Sequence, residues 1–414
     1  MVQHIRRGQP GPLRKLYAVR PHVLVADDVL GAVERVLPYI RDVAAACERD
    51  RAVPAESILR IAEAGVFRIL QPKRYGGMEG SIRLFFDAIA AIGGACTSTG
   101  WVCGVLGTHQ WVLANFPDEA QDDVWGQASE TLLSGTAAPG SVKAVRAAGG
   151  YRVSGTWRFC SGSNHATWHF GGATILEPPS GTPDKAFFLL PVAEMTFVDN
   201  WIVNGLCGTA SCDGIADDVF VPEHRMLSIP ALIAGVTPGQ VVNTAPLYRL
   251  PNATVVGLGI AAPPLGATGA SLAAFITDTR TRERTGGLMG DSRKLWESPT
   301  LQLRAAEASA MYEAARALID RDLAETEQSN DAGELSVDTR VRVRRDLAFG
   351  VRTCVEIMAM LYRSAGTEVM FPPNPLERTW RDVNAAAKHV GLNWDNLGTA
   401  AGRHLFGLDP RAQY

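Results

Sequence analysis

The chain has 414 residues, of which 46% are hydrophobic and 20% are charged, and its formal net charge at pH 7 is −3. This composition is typical of a folded globular protein of two or three domains, so wholly disordered and fibrous classes are excluded. The near-neutral charge also argues against a dedicated nucleic-acid binder, because such proteins concentrate basic residues.

Residues 1–27 are predicted to form a basic N-terminal arm. The first 25 residues contain no acidic side chain, and several prolines and glycines interrupt them. This favours an extended arm over an amphipathic targeting helix, and no apolar secretory segment follows. The basic residues of the arm are Arg6, Arg7, Arg14, Lys15 and Arg20.

Residues 28–131 are predicted to form a helical domain. Apolar residues from Val29 to Ile40, and again from Ile58 to Val66, recur at spacings of three and four, which is the pattern of an amphipathic helix. Two more apolar helices are expected at residues 83–92 and 98–116.

Residues 132–240 are predicted to form a β-domain. From Tyr151 to Phe159 apolar and polar residues alternate, as they do in a half-buried strand, and Gly149–Gly150 before them is typical of a hairpin turn. Further short strands are expected near residues 174–176, 186–191 and 218–222.

Residues 241–414 are predicted to form a helical bundle, with helices over 301–323, 337–364 and 377–390. The run from Val255 to Ile276 carries no charge and is long enough to span a membrane. Because prolines and glycines interrupt it, we interpret it as the inner helix of a bundle. Helices, then strands, then helices indicate an α+β protein with segregated classes.

Seven cysteines, an odd number, are scattered along the chain. This spacing does not indicate a disulfide framework, and we expect reduced thiols in a cytoplasmic protein. No paired His or Cys spacing typical of a metal site occurs, so no metal is expected.

The segment Trp157–His165 is the first candidate for chemistry. A strand that ends in Ser161–Gly162–Ser163–Asn164 brings hydroxyls and backbone N–H groups next to aromatic residues. A flat heteroaromatic cofactor needs a ring to pack on and hydrogen bonds at its edge. The alternative is that this segment is an ordinary strand followed by a polar turn, which binds no cofactor and has the same kind of sequence.

Three further candidates are basic or imidazole side chains. His389 follows Asp382 by seven residues, so on one helix the two would be about 10 Å apart and would not bond directly. His389 is a candidate base or hydrogen-bond donor, and His109 on an apolar helix is a candidate for recognising a planar polar ring. Arg280, Arg282 and Arg284 form a basic run that could bind a phosphate. Purely structural roles remain open for all of these residues.

In combination these features resemble the acyl-CoA dehydrogenase fold, and within it the oxygenase components of two-component flavin-dependent aromatic hydroxylases. The similarity extends over residues 30–412 and is strongest to the indole or indole-acetate and 4-hydroxyphenylacetate oxygenase types. The matching segments are Gln71–Gly77, Gly155–Gly162, Pro246–Pro251, Trp380–Asp382 with His389, and the C-terminal run from Leu392 to Leu408.

The resemblance implies a fold of an N-terminal helical domain, a middle antiparallel β-barrel or sandwich and a C-terminal four-helix bundle. It also implies a role for each matching residue. Phe159 would pack on the flavin ring, the Ser161 hydroxyl would face flavin N5, and the backbone at Thr136 would meet the flavin edge. Arg282, or Arg284, would bind the flavin phosphate, usually that of a neighbouring subunit. Three residues are expected near the substrate or flavin C4a: His109 and Tyr248 at the substrate, and His389 at C4a.

The family's chemistry follows as an expectation. A separate NAD(P)H-dependent flavin reductase would supply FMNH2 or FADH2, O2 would add at flavin C4a, and the hydroperoxide would hydroxylate a small indole-like, phenolic or polycyclic aromatic. We expect a homotetramer or homodimer with no membrane or nucleic-acid partner.

One departure separates this chain from the common acyl-CoA dehydrogenases, which use a glutamate base near this point. No carboxylate occurs between Val383 and Trp394, and His389 takes the place instead. This favours oxygen chemistry over removal of an α-proton. An acyl-CoA dehydrogenase-type oxidoreductase and a non-catalytic member of the fold remain the alternatives.

Overall fold

The computed structural model describes residues 5–7, 28–176, 184–285, 292–332 and 335–412. Apart from residues 5–7, the predicted N-terminal arm therefore lies outside the described residues. Within these ranges the order is helices, then a sheet, then helices, which is the predicted α+β arrangement. The exact domain boundaries at residues 131 and 240 stay predictions.

Six helices form the N-terminal region. Helix α4 (Ile82–Ala95) begins after Ser81, whose hydroxyl accepts a hydrogen bond from the Leu84 N–H at 3.0 Å, an ordinary N-cap. Helix α5 follows after one residue and is buried along nearly its whole length. The helices are α1 Val29–Asp42, α2 Ala44–Arg49, α3 Ala55–Glu63, α4 Ile82–Ala95, α5 Thr97–Leu113 and α6 Asp118–Trp125.

Among the described residues, the middle of the chain and residues 5–7 form a sheet of nine strands in the order β1-β7-β8-β4-β3-β5-β6-β9, with β2 paired to β5. The pairings are antiparallel except that β5 runs parallel to β2 and β3, a departure from the purely antiparallel domain predicted. Its cause is the connection after β4, which returns the chain beside β3 at the end where β4 finishes. The strands are β1 Ile5–Arg7, β2 Leu133–Thr136, β3 Lys143–Ala147, β4 Gly150–Trp157, β5 Trp168–Leu176, β6 Asp184–Pro191, β7 Thr196–Val198, β8 Asp213–Pro222 and β9 Met226–Ser228.

Strand β4 confirms the predicted alternation and shows where it stops. Tyr151 and Val153 are buried, whereas Arg152 and Ser154 are exposed. At Gly155 the pairing with β8 shifts by one residue in a β-bulge. Its φ of +139° suits glycine, and a Cβ there would lie 2.7 Å from the Cα of Val142. The bulge redirects the end of the strand, so the chain after Trp157 leaves the sheet.

The C-terminal region is helical and holds one short hairpin. Helix α10 has the bounds that the sequence predicts. Helix α8 packs on α4 and α5 on one side and on α9, α10 and α11 on the other. The elements are α7 Ile229–Ala234, α8 Asn252–Thr281, β10 Glu283–Thr285, β11 Ser292–Lys294, α9 Pro299–Ala332, α10 Val337–Ser364, α11 Pro375–Ala386 and α12 Trp394–Leu405.

Helix α8 is long and apolar enough to cross a membrane, yet 72% of its most apolar window is buried inside the structure. Its glycines permit close backbone packing on α4: a Cβ on Gly266 would lie 1.8 Å from the Ala90 carbonyl oxygen. A helix that is apolar on every side is expected at the centre of a bundle. This packing supports the interpretation of residues 255–276 as an inner core helix.

Candidate functional site

One large cavity, of about 1640 Å³, lies where the end of the sheet meets helices α5, α8 and α10 and the turn after α11. The β-domain contributes residues 135–141 and 156–161, and a loop at residues 201–211 forms a third wall. Five of the eight predicted site residues line it, drawn from separate segments of the chain: His109, Thr136, Phe159, Ser161 and His389.

Phe159 presents an open aromatic face to the cavity. Its side chain is 53% exposed, and its backbone φ is +64°, a conformation that few bulky residues adopt. The Trp201 ring meets it edge-on at 5.9 Å, and the Arg158 guanidinium lies 4.8 Å from its centroid. Strained backbone at an exposed aromatic residue is typical of functional sites. The ring is available for stacking by a flat ligand.

Ser161 begins a chain of three hydroxyls. Its Oγ is 2.6 Å from the Oγ of Ser211, which is 2.7 Å from the Oγ1 of Thr209. The Thr209 hydroxyl donates to the Leu206 carbonyl at 2.8 Å, and a carbonyl can only accept. Thr209 therefore accepts from Ser211, and Ser211 accepts from Ser161. This direction leaves a lone pair of Ser161 for a donor in the cavity.

Ser211 and Thr209 are not among the site residues predicted from the sequence. The available signal is the cluster Thr209–Ala210–Ser211 just after Gly208, which is small and polar like many turns. Only the fold brings it to within hydrogen-bond distance of Ser161, because the two segments are about 50 residues apart.

Asp382 holds the loop that carries Thr209 and Ser211. Its carboxyl oxygen accepts a hydrogen bond from the Leu206 N–H at 2.6 Å, and the neighbouring Arg381 donates to the Asn204 carbonyl at 2.7 Å. Burial raises the pKa of Asp382 to about 7. Leu206 has a positive φ of 53°, so the loop is strained and needs this anchor. The Trp380–Asp382 motif therefore holds the backbone of the loop at residues 204–206 in place.

His389 lies outside helix α11, which corrects the helix predicted over residues 377–390. The helix ends at Ala386, and the chain turns so that the Gly391 N–H donates to His389 Nδ1 at 3.0 Å. With Nδ1 as an acceptor, the neutral ring carries its proton on Nε2. Burial lowers the pKa of His389 to about 4, and the positive charge of Arg344 adds to this shift. The ring is accessible from the cavity and meets Trp101 edge-on at 5.6 Å.

His109 has the opposite tautomer. Its Nδ1–H donates to the Leu133 carbonyl at 2.9 Å, so Nε2 is a hydrogen-bond acceptor. Burial lowers the pKa of His109 to about 4, which keeps the ring neutral near pH 7. Helix α5 places it on the face that lines the cavity, where residues recur at spacings of three and four: Trp101, Val105, Thr108, His109 and Val112.

Of the other three predicted residues, Tyr248 and Arg282 do not line this cavity, and the side chain of Arg284 lies outside what the structure describes. Tyr248 is fully buried and its hydroxyl donates to the Leu70 carbonyl at 3.3 Å, so it stabilises packing. Arg282 caps the C-terminal end of α8 and forms an ion pair with Glu368. Arg284 lies in strand β10, opposite Arg293 of β11.

The residues present fit a reduced flavin. The cavity offers an exposed aromatic face, an accepting hydroxyl at Ser161 and strand-end backbone at residues 135–138. Its volume exceeds that of an ordinary ligand pocket, so it can take a cofactor ring and a substrate together. Among the described residues no cluster of His, Cys, Asp or Glu suits a metal ion. Four basic residues and two acidic ones line the walls: Arg158, Arg344, Arg381 and Lys388 with Glu48 and Asp213.

Comparison with known families gives two matches. Residues 26–128 match the N-terminal domain of acyl-CoA dehydrogenases, and residues 258–394 match their C-terminal domain.

Comparison with characterised proteins adds activities. The chain is 38% identical over 402 residues to the oxygenase component of an FADH2-dependent resorcinol hydroxylase from Rhizobium sp. strain MTP-10005, with 95% of this chain and 97% of the relative covered. It is 27% identical over 397 residues to an indole-3-acetate monooxygenase from Pseudomonas putida, with 92% and 95% covered. The resorcinol hydroxylase is thus more similar than this member of the expected indole-acetate type.

Comparison with solved structures shows the same fold in related proteins. A 3-HSA hydroxylase from Rhodococcus sp. RHA1 superposes with a TM-score of 0.87 at 33% identity, with 93% of this chain and 98% of that chain covered. XiaF from Streptomyces sp., solved with FADH2 and glycerol, superposes with a TM-score of 0.85 at 26% identity, with 94% and 97% covered.

Proposed function

This chain belongs to the flavin-dependent monooxygenases of the acyl-CoA dehydrogenase fold, and on that premise we propose a role for each wall of its cavity. The protein is the oxygenase component of a two-component enzyme that uses reduced flavin from a separate reductase and O2. The β-domain wall binds the flavin. The wall of α5 and α8 binds a phenolic aromatic substrate.

The observation that carries the proposal is the meeting of His109, Phe159, Ser161 and His389 in one cavity. These residues belong to an N-terminal helix, a strand end and the turn after α11, so only the tertiary fold unites them. A packing surface, an acceptor, a donor and a substrate contact are the groups that this reaction needs.

Phe159, the backbone near Thr136 and Ser161 would hold the flavin. When bound, reduced flavin supplies the electrons that activate O2, so that one oxygen atom enters the aromatic ring and the other leaves as water. Ser161 Oγ, whose own proton is directed to Ser211, would accept a hydrogen bond from the flavin N5–H and so slow the loss of that proton.

His389 would donate a hydrogen bond from Nε2 to the oxygen that reacts in the cavity. Because the ring is neutral, it would supply a hydrogen bond without placing a full positive charge there. Trp101 and Val256 also line the cavity and give its wall apolar surface, which strengthens such hydrogen bonds.

His109 accepts a hydrogen bond from the substrate hydroxyl at Nε2. Its depressed pKa makes it a weak proton acceptor, so it orients the phenol and increases ring electron density without removing the proton completely. Most other lining residues of this wall are apolar, among them Val105, Val112 and Val256, as an aromatic ring requires.

The assembly is proposed to be a cytoplasmic homotetramer or homodimer without membrane or nucleic-acid partners. Two features support self-association. Leu405 and Phe406 near the C-terminus are 75% and 85% exposed. Arg282 lies away from this cavity, which suits a phosphate contact to a neighbouring subunit's flavin.

The test supplies reduced FAD or FMN and O2 with resorcinol, substituted phenols and indoles, and measures hydroxylated product against hydrogen peroxide. We expect product from phenols and mostly peroxide without substrate. His389→Val should abolish hydroxylation while flavin affinity is kept. No oxygenated product from any aromatic, or acyl-CoA-dependent reduction of an artificial electron acceptor, would contradict the proposal.

A further inference from the structure

Arg344 is a buried cation with no counter-charge among the described residues. Its side chain lies in the cavity wall with 9% exposure, and no carboxylate of the described residues lies within ion-pair distance. It makes one hydrogen bond, from Nη1 to the Ala253 carbonyl at 3.2 Å, and its Nε is buried without a partner. Four of its five N–H donors are thus unused by the protein in the described part of the chain.

The neighbouring arginines of helix α10 do not share this state. Arg342 pairs with Asp322 and Glu325, and Arg345 pairs with Asp346 at 2.6 Å. Charged side chains are rarely buried unless they are paired or bind a ligand. Burial lowers the pKa of Arg344 only to about 10, so it remains positively charged at neutral pH. The missing counter-charge is therefore expected to come from a bound molecule.

A second unsatisfied polar group lies beside Arg344. Asn252, the first residue of α8, also lines the cavity, and its Oδ1 is buried without a partner among the described residues. Gly257, one turn further along α8, makes room for the guanidinium: a Cβ there would lie 2.4 Å from Arg344 Nη1. The guanidinium therefore lies along residues 253–257 of α8. We refer to Asn252, Gly257 and Arg344 as the basic lobe.

The distance along α8 from the basic lobe to the His389 turn is similar to the length of one substituted aromatic ring. A Cβ on Gly391 would lie 3.0 Å from Ile260 Cδ1 and 3.1 Å from His389 Nδ1, so Ile260 adjoins the His389 turn. Ile260 is one to two helical turns beyond the basic lobe, about 5–10 Å along α8. Val256 lies between Asn252 and Ile260 along α8 and lines the cavity, which gives the ring an apolar contact.

We propose that Arg344 binds an acidic substituent of the aromatic substrate, and that the physiological substrate is a phenol carrying a carboxylate. This inference rests on the proposed function and specifies its substrate class. A flavin phosphate is the other source of an anion. We favour the substrate because the basic lobe is built by α8 and α10, whereas strand ends of the β-domain are proposed to bind the flavin.

The test measures binding and does not depend on turnover. Equilibrium dialysis without oxygen, with and without reduced FMN, compares 4-hydroxyphenylacetate and 4-hydroxybenzoate with their methyl esters. The wild type should bind each acid at least about tenfold more tightly than its ester, as a charge-assisted hydrogen bond predicts. Arg344→Met should weaken acid binding by about 10- to 100-fold and leave ester and FMN affinities unchanged.

Three controls keep the result specific. Arg344→Lys should restore part of the preference for the acid, because it keeps the charge but not the fork of donors. Lys388→Met removes another cavity cation and should leave the acid-to-ester ratio unchanged. Thermal unfolding of Arg344→Met should show a folded protein. If that variant does not fold, the acid-to-ester preference of Arg344→Lys, compared with the wild type, tests the inference instead.

Equal binding of acid and ester by the wild type, equal loss of both in Arg344→Met, or a loss confined to FMN would overturn the inference. Hydroxylation assays on the same ligands separate it from the proposed function. If neutral phenols are hydroxylated but no acid preference exists, only the inference fails. If nothing is hydroxylated while the acid preference depends on Arg344, the proposed function fails and the anion site stands.

Discussion

At the scale of single residues, hydrogen-bond direction decides what each cavity group can do. His109 and His389 are both neutral, yet a carbonyl makes one an Nε2 acceptor and a backbone N–H makes the other an Nε2 donor. In the same way the Leu206 carbonyl, three hydroxyls away, determines that Ser161 offers a lone pair. None of these directions depends on the residue types at the site alone.

The hydroxyl chain predicts a role for Ser211. Ser211→Ala removes the group that receives the Ser161 proton, so Ser161 loses its fixed orientation as an acceptor. We expect peroxide release from the reduced-flavin enzyme, without substrate, to become about 3- to 10-fold faster, as for a weakened hydrogen bond of about 1 kcal/mol. Stopped-flow absorbance after mixing with O2 measures this rate.

The matched control is Ser163→Ala, because Ser163 Oγ is buried nearby and has no partner among the described residues. It should leave the rate unchanged, and Ser161→Ala should accelerate release at least as much as Ser211→Ala. Faster release in the Ser161 variant alone would argue against the chain.

Another residue-scale prediction concerns acid stability. His169 is fully buried, its Nδ1 shares a 2.9 Å hydrogen bond with Ser134, and burial lowers its pKa to about 3. The unfolded chain takes up this proton near pH 6.5, before the folded chain does. The free energy of unfolding contributed by this residue is therefore complete above pH 6.5 and is lost as the pH falls toward 3.

We expect His169→Asn, which keeps a partner for Ser134, to reduce the dependence of stability on pH between 6.5 and 4. The reduction approaches one proton, or about 1.4 kcal/mol per pH unit. Urea unfolding of both proteins across this range measures it. Comparing the two proteins removes the opposing contribution of Asp382, and parallel pH profiles would show that His169 is not the cause.

At the scale of elements, helix α8 forms part of the proposed substrate wall and is held in place by close packing on α4. Gly266 touches the backbone of α4 at Ala90, and Gly93 of α4 lies against Pro263. Ordinary side chains at these positions would separate the two helices. The glycines that make the segment a poor isolated helix are therefore the ones that allow its packing.

Gly266→Ala is expected to destabilise the protein by about 1–3 kcal/mol or more, because its Cβ would overlap the Ala90 carbonyl. Gly402→Ala in α12 is the control: its Cβ would meet nothing within 4 Å, and we expect no loss, or a gain of about 0.5–1 kcal/mol. Chemical denaturation measures both, and equal effects would contradict the packing argument.

At the scale of the whole molecule, we predict that 44.4-kDa chains associate into a homotetramer or homodimer in solution. Replacing Leu405 and Phe406 with Ser removes large exposed apolar groups and should lower the mass seen by analytical ultracentrifugation. Arg282→Ala should weaken flavin binding without changing that mass. A wild-type protein that sediments as a monomer at all concentrations would contradict the prediction.

Much of the fold and part of the site could be predicted from the sequence. Helical periodicity predicted the bounds of α10, and the alternation from Tyr151 predicted β4, because both signals depend only on which face of an element is buried. The family resemblance is confirmed by relatives that match nearly the whole chain. Its site residues His109, Thr136, Phe159, Ser161 and His389 line one cavity.

Other features were decided only by tertiary structure. Helix α11 ends before His389 because a turn closed by Gly391 replaces its last predicted residues, and β5 pairs in parallel because of where its connection returns. Ser211 and Arg344 were not recognised, since their significance lies in partners that are distant in sequence, or in having none. Periodicity records burial along one element, whereas hydrogen-bond direction and unpaired charge depend on what other elements bring to the same place.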